Sequence, residues 1–393
     1  MNVAGEGSRV MGGGNGQERS PLSDNKESIG RVLGSAKWHM NRLGKVVSGE
    51  SHTYIRRKRG QYIFKLLNSL PIKALYEFGV EEKVVHSFFQ HDSKSKALKE
   101  DYLYVGKGVS GVVKFALALN IHTGESCLCV AKKVKGIANV AWRETVTGVE
   151  RECRLQSEAA EKDLAIPVYE WVDTYNKKYQ RQCIIFMRLS HGVTLRNFLR
   201  VSDIACNQLA QVTRIKIVLQ MIEKVQALHQ CGIYHRDLKP NNIVVEVKRR
   251  DGVDQLDIKF LDFGMSTKDK YHRCGYERVL ICCASEMLHE YAYSAPLDIY
   301  SLGCAIVSVI NNGADFVVND EKAEKGVTRY HDFSKVEEFR PVIIDKIKRC
   351  HLKIKNMEYF LSKVLLSEPN QRPTIDQMKV GFEQWSKESA EWT

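Results

Sequence analysis

Apolar positions change their spacing twice along this chain. Residues 1–50 offer little to bury: Gly, Ser, Asn and charged residues dominate, with Gly12-Gly13-Gly14 among them. Such a segment cannot offset the entropy of ordering, and disorder is expected at least to about residue 35. Residues 61–90 carry apolar positions at helix-like spacing (Ile63, Phe64, Leu66, Leu67, Leu70, Leu75, Phe78, Val84 and Val85), which predicts helices packed on the domain that follows. From Tyr102 the pattern becomes strand-like. Tyr102–Val105 and Val112–Leu119 read as two strands joined by a short glycine-rich loop, and Thr123-Gly124 turns the chain into a third, Cys127–Val134. A helix is expected from about Val140 to Glu161, then strands near Ala165–Asp173 and Cys183–Leu189. Beyond these the chain is mainly helical, with Val212–Gln230 the clearest amphipathic run. A small β-rich half followed by a larger α-rich half is an α+β outline of two lobes with a cleft between them. No internal repeat is visible.

Composition narrows this picture only a little. Hydrophobic residues make up 44% of the 393, enough for a large core, and the length suggests two or three domains. Lys and Arg outnumber Asp and Glu by 59 to 47, a formal net charge of +12. That balance attracts polyanions such as ATP, acidic peptides or nucleic acid without choosing among them. The cluster Arg56-Arg57-Lys58-Arg59 could serve nuclear import or hold an acidic partner or nucleic acid, and it could equally be a solvated charge run. The 11 cysteines include no C-x-x-C pair, and Cys127/Cys129 and Cys282/Cys283 sit in apolar runs, a usage that fits a reducing compartment. The N-terminus has no apolar signal core, and Asn2 stands where a myristoylated glycine would be. The longest apolar stretch, near Leu302–Ile310, is far too short to span a bilayer. These features predict a cytoplasmic and/or nuclear protein that makes no use of a membrane.

The loop Gly106-Lys107-Gly108-Val109-Ser110-Gly111 has strand-like residues on both sides, unlike the strand-to-helix setting of a dinucleotide fold. It reads as a hairpin whose missing side chains let backbone N–H groups approach phosphate oxygens. Val113, two residues past Gly111, would cover the face of a base. On the next strand, Val130-Ala131-Lys132-Lys133 presents two adjacent lysines. Side chains alternate faces, so Ala131 and Lys133 share one face and Lys132 takes the other. If small Ala131 lines the base pocket, Lys133 reaches the phosphates, with Lys132 as the alternative. A buried lysine needs a carboxylate partner, and the following helix offers Glu150 and Glu152.

His235-Arg236-Asp237-Leu238-Lys239-Pro240-Asn241-Asn242 follows, then the apolar Ile243-Val244-Val245 and later Leu261-Asp262-Phe263-Gly264. With these motifs the chain resembles the eukaryotic-type protein kinase superfamily over roughly residues 100–385. The resemblance implies a two-lobed fold: a basic extension over 1–95, partly disordered and helical near 61–90, a β-rich N-lobe with one main helix over 96–188, and a larger α-helical C-lobe over 189–388. It implies that Asp237 accepts the proton of a substrate hydroxyl, Lys239 neutralises the moving phosphoryl group, and Asn242 and Asp262 hold Mg²⁺. Gly106, Gly108, Ser110, Gly111, Val113, Ala131 and Lys133 would bind ATP, with Met187 and Leu189 closing the adenine pocket. Glu152-Cys153-Arg154-Leu155 matches the family's helix, which makes Glu152 the lysine's partner and Glu150 its runner-up. Lys239, two residues past Asp237, resembles the serine/threonine subgroup, so transfer of the ATP γ-phosphate to Ser or Thr hydroxyls of proteins is expected.

Further along, Gly192-Val193-Thr194-Leu195 resembles the turn after the hinge. Asp298-Ile299-Tyr300-Ser301-Leu302-Gly303 resembles the buried helix whose Asp braces the catalytic loop, and Arg372 resembles the arginine that pairs with the glutamate of the activation segment, here Glu286. The chain departs from the pattern at Ser285, where a proline is usual, and at Val279, where a threonine usually helps tie Asp237 to Lys239. These departures keep a second reading open, a pseudokinase scaffold that binds partners without phosphoryl transfer. Arg236 implies a phosphate in the activation segment, on Ser266, Thr267, Tyr271 or Tyr276.

Overall fold

The structure, a computed structural model, describes residues 54–55, 60–67, 70–71, 102–103, 106–108, 111–134, 141–175, 180–190, 192–204, 211–250, 253–273, 284, 286, 291–310, 357–366 and 368–390. Its first half is built on β1 (Tyr54–Ile55), β2 (Tyr62–Leu66), β3 (Leu70–Pro71), β4 (Tyr102–Leu103), β5 (Gly106–Gly108), β6 (Gly111–Asn120), β7 (Ser126–Val134), helix α1 (Trp142–Glu161), β8 (Val168–Tyr175) and β9 (Arg181–Arg188). Seven of these strands form one antiparallel sheet in the order β1-β2-β6-β7-β9-β8, with β5 paired to the start of β6; β3 and β4 pair with each other.

Strand β2 corrects the helix expected to begin at residue 61. Tyr62–Leu66 pairs with Asn120–Ala116 of β6. The sheet then curls until its two edges meet: the Glu170 carboxylate of β8 accepts the N–H of Gln61 at 2.6 Å and of Tyr62 at 3.3 Å, and the Tyr62 and Tyr169 rings lie 5.1 Å apart. Inside the curl, Phe64 stacks on Phe186 at 3.8 Å among Ala116, Ala118, Cys129, Ala131, Val172 and Ile184. Small side chains line this interior because two aromatic rings already fill it. The other face packs on α1, where Val149 and Cys153 meet Cys183, Ile185 and Met187. The helical expectation beyond Pro71 and the disorder expected over 1–35 lie outside the described residues.

The second half contains β10 (Val193–Thr194), α2 (Leu195–Ile204), α3 (Gln211–Gln230), β11 (Ile243–Arg250), β12 (Val253–Phe260), β13 (Tyr271–Arg273), β14 (Tyr291–Tyr293), α4 (Ser294–Ile310), α5 (Met357–Val364) and α6 (Ile375–Ala390). Helix α4 is apolar nearly all round and buried, as a central core helix must be. Ile217, Val218, Met221, Ile222, Val225 and Leu228 of α3 enter the same core. Strands β10, β11 and β12 form a small antiparallel sheet at the edge of this lobe. Gly192 is required where the chain crosses it, since a Cβ there would strike the Val245 carbonyl and the Glu246 side chain. The result is the two-lobed protein kinase fold, with a curled β-sheet lobe carrying one long helix and a helical lobe around α3 and α4. The lobes join through the segment after β9 and through backbone bonds between Leu164, Ile166 and Phe260.

Candidate active site

Three elements converge on one lysine. Helix α1 turns Glu152 inward, β7 presents Lys132, and the chain leaving β12 presents Asp262. Lys132 Nζ donates to Glu152 Oε1 at 2.6 Å and to Asp262 Oδ1 at 2.7 Å. All three are withdrawn from solvent, with side-chain exposures of 8%, 7% and 24%. Burial pulls the Lys132 pKa down, but the charges of Glu152 and Asp262 outweigh it and hold the ammonium well above its ordinary value. Burial likewise pushes the Asp262 carboxyl up, and the opposing pull of Lys132 brings it to about 2. Asp262 adopts a left-handed backbone, φ 62°. Gly264 keeps the space clear: a Cβ there would sit 3.3 Å from both Asp262 Oδ1 and Glu152 Oε2.

This geometry corrects the choice of Lys133. The two lysines do lie on opposite faces, but it is Lys132 that meets Glu152 and Asp262. Register shows why: Val113 opposes Lys132, and Val130 opposes Met187, so Val113, Val130, Lys132 and Met187 share the face toward α1. Ala131 is fully buried in the curl beside Phe64 and Phe186 and does not line a base pocket. Its small size serves that interior. Lys133 lies on Ala131's face, half-exposed, where burial and nearby Lys114 lower its pKa. Glu150 is exposed on α1, which leaves Glu152 as the lysine's partner.

Below Asp262 lies the loop His235–Asn242. Asp298, fully buried within apolar α4, accepts the backbone N–H of His235 at 2.8 Å and of Arg236 at 2.6 Å. The same carboxylate meets the His229 ring at 2.8 Å. These bonds hold Arg236 at φ 63° and turn the chain so that Asp237 faces the cleft. His235 Nδ1 accepts the Asp237 N–H at 3.3 Å, which makes Nε2 the protonated nitrogen that donates to the Leu261 carbonyl at 3.0 Å. The imidazole thus links the loop to the residue before Asp262. Lys239 Nζ donates to both Asp237 oxygens at 2.9 and 2.8 Å. Asn242 Nδ2 donates to the Asp237 carbonyl and to its Oδ2, both at 2.8 Å. A carboxylate offers about four acceptor sites; three are used here, and one remains for an incoming hydroxyl.

The protein kinase domain profile matches residues 100–381, most of the chain. The chain belongs to the protein kinase family. Among curated relatives it is 27% identical to the serine/threonine-protein kinase Doa of Drosophila melanogaster over 229 residues, 53% of this chain and 26% of that protein. It is 28% identical to the human dual specificity protein kinase CLK2 over 157 residues, 37% of this chain and 30% of that one. It is 30% identical to mouse mitogen-activated protein kinase 12 over 105 residues, 26% and 27% of the two chains. The matched region therefore spans about a quarter to a third of these relatives.

Within this kinase domain, Gly106 and Gly108 on β5 and Gly111 on β6 belong to paired strands, Gly108 opposite Gly111; Ser110 lies outside the described residues. Met187 and Leu189 are buried where the lobes join, and Met187 Sδ accepts Gln156 Nε2 at 3.4 Å. Arg372 pairs through both terminal nitrogens with the buried Glu286 carboxylate, Nη2 to Oε2 at 2.7 Å, and also donates to Leu366 O and Pro296 O. Val279, Ser285, Tyr276 and the basic cluster at 56–59 lie outside the described residues. Ser266 is fully buried and donates its hydroxyl to His235 O; Thr267 is buried and bonded to Asp269; Tyr271 is exposed. Sequence reasoning missed His235 as the link between the loop and Leu261, the residue before Asp262, and Val130 as the residue beside Lys132 on the cleft face. Strand alternation placed Val130 there once Lys132 was chosen. Among the described residues, no helix is long and apolar enough to cross a membrane.

Proposed function

We propose that this kinase transfers the γ-phosphate of ATP to serine or threonine hydroxyls of proteins with the help of Mg²⁺. The observation that carries the reading is the assembled set: Lys132 bonded to both Glu152 and Asp262, facing Asp237 bonded to Lys239 and Asn242. The donor chemistry suits Mg²⁺, which takes a few hard oxygens and completes its shell with phosphate and water. Asp262 supplies a carboxylate held ionised, and Asn242, its amide nitrogen committed to Asp237, has its amide oxygen available to a cation. When bound, the ion would neutralise charge on the phosphates.

The chain's own residues do the rest. Lys132, fixed by Glu152, orients the phosphates, and the glycine hairpin covers them with backbone N–H groups. Asp237 hydrogen-bonds the substrate hydroxyl at its remaining acceptor site. As the new O–P bond forms and the bond to the leaving diphosphate breaks, the hydroxyl proton passes to Asp237, while Lys239 balances charge at the transferring group. Serine/threonine preference is supported by Lys239 and by the similarity to serine/threonine-protein kinases such as Doa.

Transfer from labelled ATP with Mg²⁺ to generic protein substrates, alongside Asp237→Asn, tests this reading. Label on Ser or Thr that vanishes in the variant is the expected result. ATP binding without transfer in the wild type would replace it with the scaffold reading.

A further inference from the structure

The segment before the matched domain contributes a wall to the small lobe. Strands β1 and β2 lie upstream of residue 100, where the kinase profile begins, yet they belong to the main sheet. Phe64 has no exposed surface, and its ring lies parallel to Phe186 at 3.8 Å, tilted by 6°. Phe186 opposes Ala131 across the β7–β9 ladder. Each of these two residues directly precedes a cleft residue: Met187 follows Phe186, and Lys132 follows Ala131. One ring thus presses on two strands at the point where they aim Lys132 and Met187 at the cleft.

The hairpin is held at both ends. Leu67 N–H donates to Phe115 O and Ile121 N–H to Gln61 O, each at 2.9 Å. At the far edge, Glu170 Oε1 accepts the Gln61 and Tyr62 N–H groups and closes the curl. Apart from Ile55 and Phe64, the interior is lined partly by Ala116, Ala118, Cys129 and Ala131, which are too small to fill the volume of a missing phenyl ring.

We propose that the β1–β2 hairpin is a working part of the nucleotide site, with Phe64 and Glu170 as positioning residues for Lys132 and the Met187–Leu189 segment. The catalytic unit of this chain then begins near residue 54. The proposal rests on the ATP-dependent reading above for its kinetic consequences, though not for its structural ones.

The experiment uses the full chain as wild type, Phe64→Ala, Phe64→Leu and Glu170→Ala, assayed well below each thermal midpoint. Phe64→Ala is expected to raise KM for ATP roughly 5–10-fold, since a shift of ~1 Å in a positioning group can cost ~10²-fold and packing relaxes by less. The protein-substrate KM should hold. Phe64→Leu should recover most of the loss, and Glu170→Ala, which opens the edge without emptying the interior, should fall between. Amide exchange should quicken at Lys132–Val134 and Phe186–Leu189 in Phe64→Ala and Glu170→Ala. A lowered midpoint with KM for ATP and exchange at those sites unchanged would make the hairpin mere scaffolding and overturn the proposal. If Phe64→Ala does not fold, Glu170→Ala decides by the same measures. A wild type without transfer defeats the kinase reading alone; exchange then judges the hairpin, unchanged rates sinking it and faster rates supporting it.

Discussion

Replacing each of the adjacent lysines in turn gives the sharpest test of the site. Lys132 Nζ sits 2.6 Å from the buried Glu152 carboxylate and 2.7 Å from the partly buried one of Asp262. At an effective dielectric of ~20, each contact has a gross attraction on the order of 6 kcal/mol, most of it cancelled by desolvation. Lys132→Met therefore does not simply lose two contacts. It leaves Glu152 and Asp262 converging on one small space without a cation, and removing one partner of a buried pair typically costs about 3–5 kcal/mol. Relief comes by protonating one carboxylate or by swinging α1 outward, and either change adds to the loss of the ammonium proposed to orient the phosphates. The expected loss in kcat/KM is ~10²-fold or more, equivalent to about 2.7 kcal/mol of transition-state stabilisation. Lys133 is half-exposed on the opposite face, and its replacement should stay within about 0.5 kcal/mol in stability and twofold in rate. Steady-state phosphate transfer and thermal unfolding of both variants measure this. A ~10²-fold loss in Lys133→Met with Lys132→Met close to wild type would refute the face assignment and the register on which it rests.

Other consequences follow from particular contacts. Asp262 is held at about 2, below its ordinary 3.8, so its contribution to stability is fully present above pH ~4 and is lost as pH falls through ~2. Its size is about 2 kcal/mol, and Asp262→Asn should flatten the denaturation free energy across that window. Arg372→Ala strands the buried Glu286 carboxylate; a loss of about 3–5 kcal/mol in chemical denaturation is expected, with little recovery in Arg372→Lys because the paired geometry needs two terminal nitrogens. The pair Asp163–Lys259 should respond unequally. Lys259→Met leaves a carboxylate already 60% exposed and should cost under about 1 kcal/mol, whereas Asp163→Ala leaves a lysine at 1% exposure with Asp257 at 3.5 Å and places alanine at φ 57°, for roughly 2–4 kcal/mol by the same assay. Mass spectrometry of active protein should find Ser266 and Thr267 unmodified, because both are buried with their hydroxyls engaged; phosphate on either would show that this segment opens far beyond the arrangement seen here.

The legible parts of the chain were those in which chemistry demands neighbouring residues. Asp237, Lys239 and Asn242 must reach one another through side chains of fixed length, so their spacing can be read directly, and the bonds of 2.8–2.9 Å among them repeat that spacing in space. Asp298 was legible only through the family resemblance. It stands in the run Asp298–Gly303, which resembles the family's buried helix, and near the start of α4 its buried carboxylate accepts the N–H groups of His235 and Arg236. Strand β2 was misread because both of its faces are covered. Ile63 packs with Leu119, and the next residue, Phe64, enters the curl, so the period of two disappears and a short apolar run looks helical.

The lysine error has the same root. Alternation fixes that Lys132 and Lys133 diverge, but it carries no sign; the sign depends on what fills the space beside Ala131. Here that is a phenyl ring from β2 stacked on another from β9, neither of which is near β7 in sequence. Given Phe64 in the interior, Ala131 must be small and must point toward it, which sends Lys132 to the cleft. The choice between two adjacent lysines is thus settled by a core assembled from three separate segments, one of which the kinase profile does not include.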